Sequence, residues 1–299
     1  MWLLALVSLA LARADIAVIV SDTLAAYDAP VERFAASVGR PTTIFDLRGD
    51  RARATAVVEQ LAADPPPLVF AVGAKAAYVA VNELTGVPVV YAMVRDPERY
   101  GVRGTRVTGV SDHVPADAAL AQFRIFAPDV ERLGVILSTG NTAASTTRAL
   151  DAARSAGFSL EVQRITNPRD VRAAFGRVAG AVDALWLLPD ANVITPSSFR
   201  WLREETRRRQ LPMLAATENL VQAGASLCVA ANRDVVGQQA AELARRILDG
   251  GELPGVIEPP APGAIRVVLN RPAMDAIGLR VDPVMLDFVD EVVEEGRSR

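Results

Sequence analysis

The chain has 299 residues, of which 51% are hydrophobic and 22% charged, with a formal net charge of −3. That length and balance describe one large or two modest globular domains and exclude a disordered chain. Without a basic excess there is nothing to neutralise nucleic-acid phosphates. A single histidine, His113, and a single cysteine, Cys228, leave neither an internal disulfide nor a zinc site of the usual nitrogen and sulfur type.

Residues 2–12 are almost continuously apolar, and Ala12-Arg13-Ala14 is a small-x-small pattern. Residues 1–14 therefore read as a secretory signal peptide, cleaved after Ala14. No cysteine follows at the cleavage site, so a lipoprotein anchor is not expected. No later run approaches the ~18 apolar residues that span a bilayer.

Strands are expected to begin near Ile16, Thr42, Leu68 and Val87, separated by helices over 25–37, 51–63 and 75–84. The pattern restarts after a junction at 112–116. A strand at 133–137 leads to a helix at 142–156, which stops at Gly157, and then to a strand at 160–165. Asn167-Pro168 is a cap-and-proline helix start, with Val171, Ala174, Phe175 and Val178 on one buried face. After a strand at 184–188, Thr195-Pro196 repeats the device for a helix reaching about Arg209. Strands follow near Met213 and Leu227. A helix over 234–248, a proline-rich connection at 254–263 and a late strand at 265–269 come next. Asp282-Pro283 is expected to open a terminal helix with Leu286, Val289 and Val293 on one side. Alternating strands and helices of this kind predict parallel sheets.

The apolar strands stop abruptly in small or polar residues. Gly73-Ala74-Lys75 follows one strand, Arg95-Asp96-Pro97 the next, and Ser111-Asp112 the third. In the second half the tips are Ser138-Thr139-Gly140-Asn141-Thr142, Pro189-Asp190-Ala191-Asn192 and Ala216-Thr217-Glu218-Asn219. Ligands of open α/β sheets sit outside the carboxyl ends of the strands, so these tips are the candidate binding surface. Backbone N–H groups near Ala74 and Asn141 suit a carboxylate, and Asp190 or Glu218 suits an ammonium. Each has a local alternative: Ser138, Asn141 and Thr142 as helix caps, Asp96 as a turn former, Asp190 as a local cap. Lys75 is the only lysine. Nucleotide fingerprints are missing: no G-x-G-x-x-G follows the first strand, and Gly73-Ala74-Lys75 is not a phosphate loop. With no nucleophile elbow around His113, an enzyme is not expected.

Several segments, in order, resemble a known family. They are Val72-Gly73 with Ala76-Ala77, Val87-Pro88-Val89-Val90 with Asp96-Pro97, Val107-Thr108-Gly109-Val110-Ser111, Pro189-Asp190 with Asn192, the glycine of Gln222-Ala223-Gly224-Ala225, Gly237-Gln238-Gln239-Ala240-Ala241, and Leu269-Asn270 with Ala276-Ile277-Gly278-Leu279. This set is similar to the ABC transporter substrate-binding family that includes periplasmic binders of tryptophan and tyrosine. The likeness runs from about residue 68 to 279. It implies an α/β, two-lobed type I periplasmic-binding fold, each lobe a mostly parallel sheet flanked by helices, with three interlobe crossings. The first lobe would hold residues 15–112 and about 232–250, the second 113–231 and about 251–299. An amino-acid-like ligand, clamped at the hinge by carboxylate and ammonium, would meet Gly73, Ala74, Lys75, Arg95, Asp96, Ser111 and Asp112 from one lobe. Ser138, Asn141, Thr142, Asp190, Asn192 and Glu218 would come from the other. The resemblance further implies a periplasmic monomer that serves a membrane permease and its ATPase, with no cofactor, metal or nucleic acid. A sensory or interaction protein on the same fold is the alternative. Ala74 stands where the family commonly has a hydroxyl residue, and Arg95 where it usually has a small or polar one. Both changes permit a more acidic ligand.

Overall fold

The computed structural model describes residues 15–141, 144–294 and 297–298. The expected signal peptide and Thr142 lie outside the described residues. Through the first half the elements run β1 (Ile16–Val20), α1 (Asp28–Ser37), β2 (Thr42–Asp46), α2 (Arg51–Ala63), β3 (Val69–Val72), α3 (Ala74–Asn82), β4 (Val89–Ala92), β5 (Val107–Gly109), α4 (Ala116–Phe126), β6 (Arg132–Ser138) and α5 (Ala144–Ser155). Then follow β7 (Ser159–Ile165), α6 (Val171–Val178), β8 (Ala184–Trp186), α7 (Pro196–Arg208), β9 (Met213–Ala215), α8 (Glu218–Gln222), β10 (Leu227–Ala231), α9 (Arg233–Leu248), β11 (Ile265–Asn270), α10 (Arg271–Ala276), β12 (Glu291–Glu294) and β13 (Arg297–Ser298). No helix among the described residues is long and apolar enough to cross a membrane.

The chain divides into two compact units. Unit 1 takes the described part of Met1–Asp112 together with Arg233–Gly263, and unit 2 takes His113–Asn232 with Ala264–Arg299. The chain therefore passes from one unit to the other three times, after Asp112, Asn232 and Gly263.

Unit 1 is built on a five-stranded, fully parallel sheet of order β2-β1-β3-β4-β5. Every residue of β1, β3 and β4 is buried, as strands covered by helices on both faces require. On one face Phe34 of α1 stacks on Phe70 of β3, with ring centroids 4.1 Å apart. On the other, α2 and α3 bury Leu61, Ala76 and Ala80 against Ile19, Ala71 and Tyr91. The 251–263 segment, expected in the second lobe, belongs to unit 1. It lies along the open side of β5: the Gly255 N–H donates to the Thr105 carbonyl (3.0 Å), Thr108 Oγ1 to the Ile257 carbonyl (2.8 Å) and the Ser111 N–H to the Pro260 carbonyl (2.9 Å). Its prolines lack N–H groups, so it covers the sheet edge mainly by offering carbonyls.

Unit 2 carries an eight-stranded sheet of order β13-β12-β11-β10-β9-β8-β6-β7. Strands β10 to β7 are parallel, β11 is antiparallel to β10, and β12 runs parallel to β11. Alternation along β6 sorts the core: Leu133, Val135 and Leu137 join α4 and α5 on one face, and Ile136 joins Phe175, Leu202 and the buried Cys228 on the other. Both cap-and-proline devices form. The Asn167 side chain accepts from the Arg169 N–H at the head of a 3-10 turn leading into α6, and Thr195 closes a capping box with Ser198 at the head of α7.

Sequence reading and structure differ at two places in unit 2. The terminal helix is a 3-10 turn (Pro283–Phe288) followed by strand β12. Val289 and Val293 fit a helical stripe, but the unpaired side of β11 offers a backbone ladder, and β-branched Val292 and Val293 suit it. Helix α4 occupies the stretch between the expected junction at 112–116 and the strand at 133–137, where the sequence reading expects no element; it buries Leu120, Phe123 and Phe126.

Candidate functional site

The polar tips of each unit gather at the carboxyl ends of its parallel strands, and each forms a half-site of its own. In unit 2 the centre is Asp190, 8% exposed, beyond the end of β8. Its Oδ2 accepts from the Ser138 N–H (2.7 Å), Ser138 Oγ (2.9 Å) and Asn141 Nδ2 (3.2 Å), and its Oδ1 accepts from the Asn192 N–H (3.0 Å). Asn141 also donates to the Pro189 carbonyl (3.2 Å) and accepts from Thr146 Oγ1 (3.1 Å). Burial alone would raise the Asp190 carboxyl. The bonds from Ser138, Asn141 and Asn192 outweigh it and hold the group below its ordinary value. Asp190 thus knots the tips of β6 and β8 together, with three bonds accepted on Oδ2 and one on Oδ1. Only the Asn192 bond is local; the other three reach Asp190 from 49 and 52 residues away, so its structural role is wider than the local cap considered for it.

Glu218 opens α8 and is buried, with its Oε1 4.0 Å from Arg266 Nε. Arg266 lies opposite Ala230 near the end of β10 and is ion-paired with Glu291. Sequence reading passes over Arg266, because only the antiparallel return of β11 carries it to this end of the sheet.

In unit 1 the centre is Gly73, between β3 and α3. Its φ of +87° is one that L side chains rarely adopt. A Cβ there would lie 2.6 Å from both Ser21 Oγ and Tyr27 Oη. Ser21 Oγ in turn accepts from the Ala76 N–H (2.9 Å) in the first turn of α3. Ser21 and Tyr27 are absent from the expected set. Ser21 was within reach as the polar residue directly after β1, whereas Tyr27 gives no such signal. Burial, reinforced by the charges of Asp112 and Asp22, raises the Tyr27 phenol above its ordinary value.

Lys75, expected at the ligand, spends its Nζ on the Gly49 carbonyl and so ties the loop after β2 to α3. Ala74 is half-buried beside Gly73. Asp96 is exposed, heads a 3-10 turn and has a left-handed φ of +51°. Arg48 (+49°) and Met93 (+58°) share that conformation at the ends of β2 and β4. Three of the four positive-φ residues other than glycine among those described thus lie just beyond strand ends of unit 1. Such strain gathers where a surrounding structure enforces it, commonly at ligand clamps. Arg95 Nη2 stands 3.8 Å from Asp112 Oδ2. Burial pushes the Asp112 carboxyl above its ordinary value, against the opposing pull of Arg95 and Arg233. The structure thus brings Gly73, Ala74, Lys75, Arg95, Ser111 and Asp112 to one end of the unit 1 sheet, and Ser138, Asn141, Asp190, Asn192 and Glu218 to the corresponding end in unit 2.

Comparison with known proteins agrees with this architecture. A tyrosine-binding protein of Clostridioides difficile (strain R20291) is 23% identical over 243 residues, covering 79% of this chain and 70% of that one. Among solved structures, the ligand-free, open form of a substrate-binding protein with adhesive properties from Clostridium difficile matches with a TM-score of 0.75 at 23% identity, covering 90% of this chain and 96% of that one. An ABC domain in complex with L-Trp from Streptococcus pneumonia matches with a TM-score of 0.65 at 19% identity, covering 94% and 100%. The fold is of the type I periplasmic-binding kind. The model of the ABC transporter substrate binding protein family matches residues 45–293, and the chain belongs to that family.

Proposed function

We propose that the chain is an extracytoplasmic solute-binding protein of an ABC-type importer, which captures a small, polar, amino-acid-like ligand for a membrane permease and its ATPase. In this reading it is a periplasmic monomer, exported by the segment cleaved after Ala14, with no catalytic role and no cofactor. The observation that carries it is the gathering of hydrogen-bonding side chains at the carboxyl ends of the strands in both units, where ligands of such sheets bind. Relatives that bind tyrosine or tryptophan support the amino-acid class.

Thermal unfolding against a panel of the twenty amino acids, small organic acids and sugars tests it. A ligand at a hundredfold excess over Kd stabilises by roughly 2.7 kcal/mol. The cognate solute is expected to raise the melting temperature by several degrees, and a flat response across the panel overturns the proposal. Ala74 and Arg95, which depart from the family pattern, favour a second reading as a transport-independent sensor. A permease gene adjacent to this one supports transport, and an adjacent receptor gene supports sensing.

A further inference from the structure

We propose that the face of unit 2 formed by α6 and α7 docks on an anionic lipid membrane. Helix α6 with its leading turn Pro168–Asp170, and α7 with its C-terminal residue Arg209, hold eight arginines against three carboxylates. That is a surplus of +5 in a chain whose formal net charge is −3, so the rest of the molecule carries −8. Half of these arginines find partners within the unit. Glu204 pairs with Arg203, Glu205 with Arg208 and Arg209, and Gln163 accepts from Arg177. Arg169, Arg172, Arg200 and Arg207 are exposed, and among the described residues none of the four has an acidic partner.

Helix chemistry accounts for only part of the surplus. Cations suit the last turn of a helix, which explains Arg207 and Arg208. Arg172 stands in the first turn of α6, where the dipole opposes it, and Arg200 in the second turn of α7, where it gains nothing. The two helices are bound into one surface. Phe175 of α6 meets Trp201 of α7 edge to face, with ring centroids 5.7 Å apart. The Arg172 guanidinium lies over the Trp201 ring (5.5 Å to the centroid) and that of Arg209 over the Phe175 ring (6.0 Å). A guanidinium held by its flat face keeps its N–H donors for other oxygens, and its fork matches a phosphate. Arg200 and Arg207 share a side of α7, about 10 Å apart along its axis. That spacing is too wide for one phosphate and suits a field of them. A flexible polyanion that wrapped the chain would meet the remaining negative charge, whereas a flat surface touches this face alone. The choice of a bilayer as that surface rests on the solute-binding reading, in which the chain delivers to a permease in one.

Flotation of the full chain with lipid vesicles tests the assignment. At about 50 mM salt the chain is expected to bind phosphatidylcholine vesicles that contain about 30% phosphatidylglycerol, to ignore vesicles of phosphatidylcholine alone, and to detach at about 500 mM salt. Each arginine at such a surface is worth about fivefold. The triple variant Arg172→Gln, Arg200→Gln, Arg207→Gln should therefore bind at least about thirtyfold more weakly. A matched variant in unit 1, Arg51→Gln, Arg53→Gln, Arg103→Gln, removes the same charge from exposed sites and should stay within about threefold of wild type. Equal loss in both variants would mean that net charge is read and not this face, and overturns the assignment. So does absence of binding to the anionic vesicles, binding that survives high salt, or binding to a single-stranded oligonucleotide with none to vesicles. The thermal panel answers the solute-binding reading separately. A flat panel beside intact vesicle binding overturns that reading and leaves this surface standing; a bound solute without vesicle binding does the reverse.

Discussion

Asp190→Ala is expected to lower the melting temperature of unit 2 by on the order of 10 °C. The carboxylate accepts four hydrogen bonds, two of them from the buried Ser138. Leaving a buried donor without an acceptor costs roughly 1–3 kcal/mol, so removing the two Ser138 acceptors costs about 3–4 kcal/mol even if Asn141 and Asn192 find water. In a unit of this size each kcal/mol moves the midpoint by about 2–4 °C. Ser138→Ala, which loses one bond and leaves no buried donor stranded, is expected to cost about 1 kcal/mol. Differential scanning calorimetry of both variants checks the ratio. A wild-type midpoint for Asp190→Ala would mean that the carboxylate is held for a ligand and not for the fold.

The same site fixes a pH dependence with a definite sign. The folded state holds the Asp190 carboxyl below its ordinary value. Its contribution is therefore complete above the unfolded pKa, about 3.9, and is lost as pH falls through the lower folded value. Wild type and Asp190→Asn should differ most near neutrality and converge in acid. A gap that stays constant down to pH 2 would show that the ionised form is not what the four donors stabilise.

Asp190 also shows where sequence reading succeeds and where it stops. That Ser138, Asn141, Asp190 and Asn192 end strands is legible, because apolar runs that break into polar residues are local facts. That Asp190 reaches back across 52 residues to the tip of β6 is not, because it depends on β6 and β8 being neighbours in the sheet. Lys75 fails in the same way, since its partner Gly49 belongs to a different loop. The C-terminal segment fails for another reason. Val289 and Val293 are spaced for a helix, and the Asp282-Pro283 start forms, with Asp282 accepting from the Val284 N–H. Only the open ladder of β11 decides for a strand, and no local signal reports it. The glycine and alanines of α9 read simply as a helix, yet that glycine, Gly237, sets how closely α9 approaches α1.

Gly237→Ala is expected to destabilise unit 1, although the change favours helix. Glycine inside a helix costs about 1 kcal/mol relative to alanine, so propensity alone predicts a gain of that size. Packing predicts the reverse. Helix α9 lies against α1, and a Cβ at residue 237 would stand 2.4 Å from the Pro30 carbonyl oxygen and 2.9 Å from its Cα. Both are backbone atoms, so relief requires α1 itself to move, and its Phe34 is locked against Phe70 in the core. Overpacking of this kind costs about 1–3 kcal/mol and occasionally more, and contact with rigid backbone belongs at the upper end. The net expectation is a loss of about 2 kcal/mol, or roughly 4–8 °C. The salt bridges Arg33–Asp234 and Arg40–Asp249 cannot compensate, because an exposed carboxylate in each leaves them worth little. Gly176, in the exposed interior of α6, has nothing within 4 Å of its would-be Cβ, so Gly176→Ala should realise the propensity gain of about 1 kcal/mol. Opposite signs for the same substitution in two helices isolate the close approach of α9 to α1 as the cause. A rise in midpoint for both variants would show that α9 has room on α1, and that what returns the chain to unit 1 is the apolar stripe of Val236, Ala240, Leu243, Ala244 and Ile247 alone.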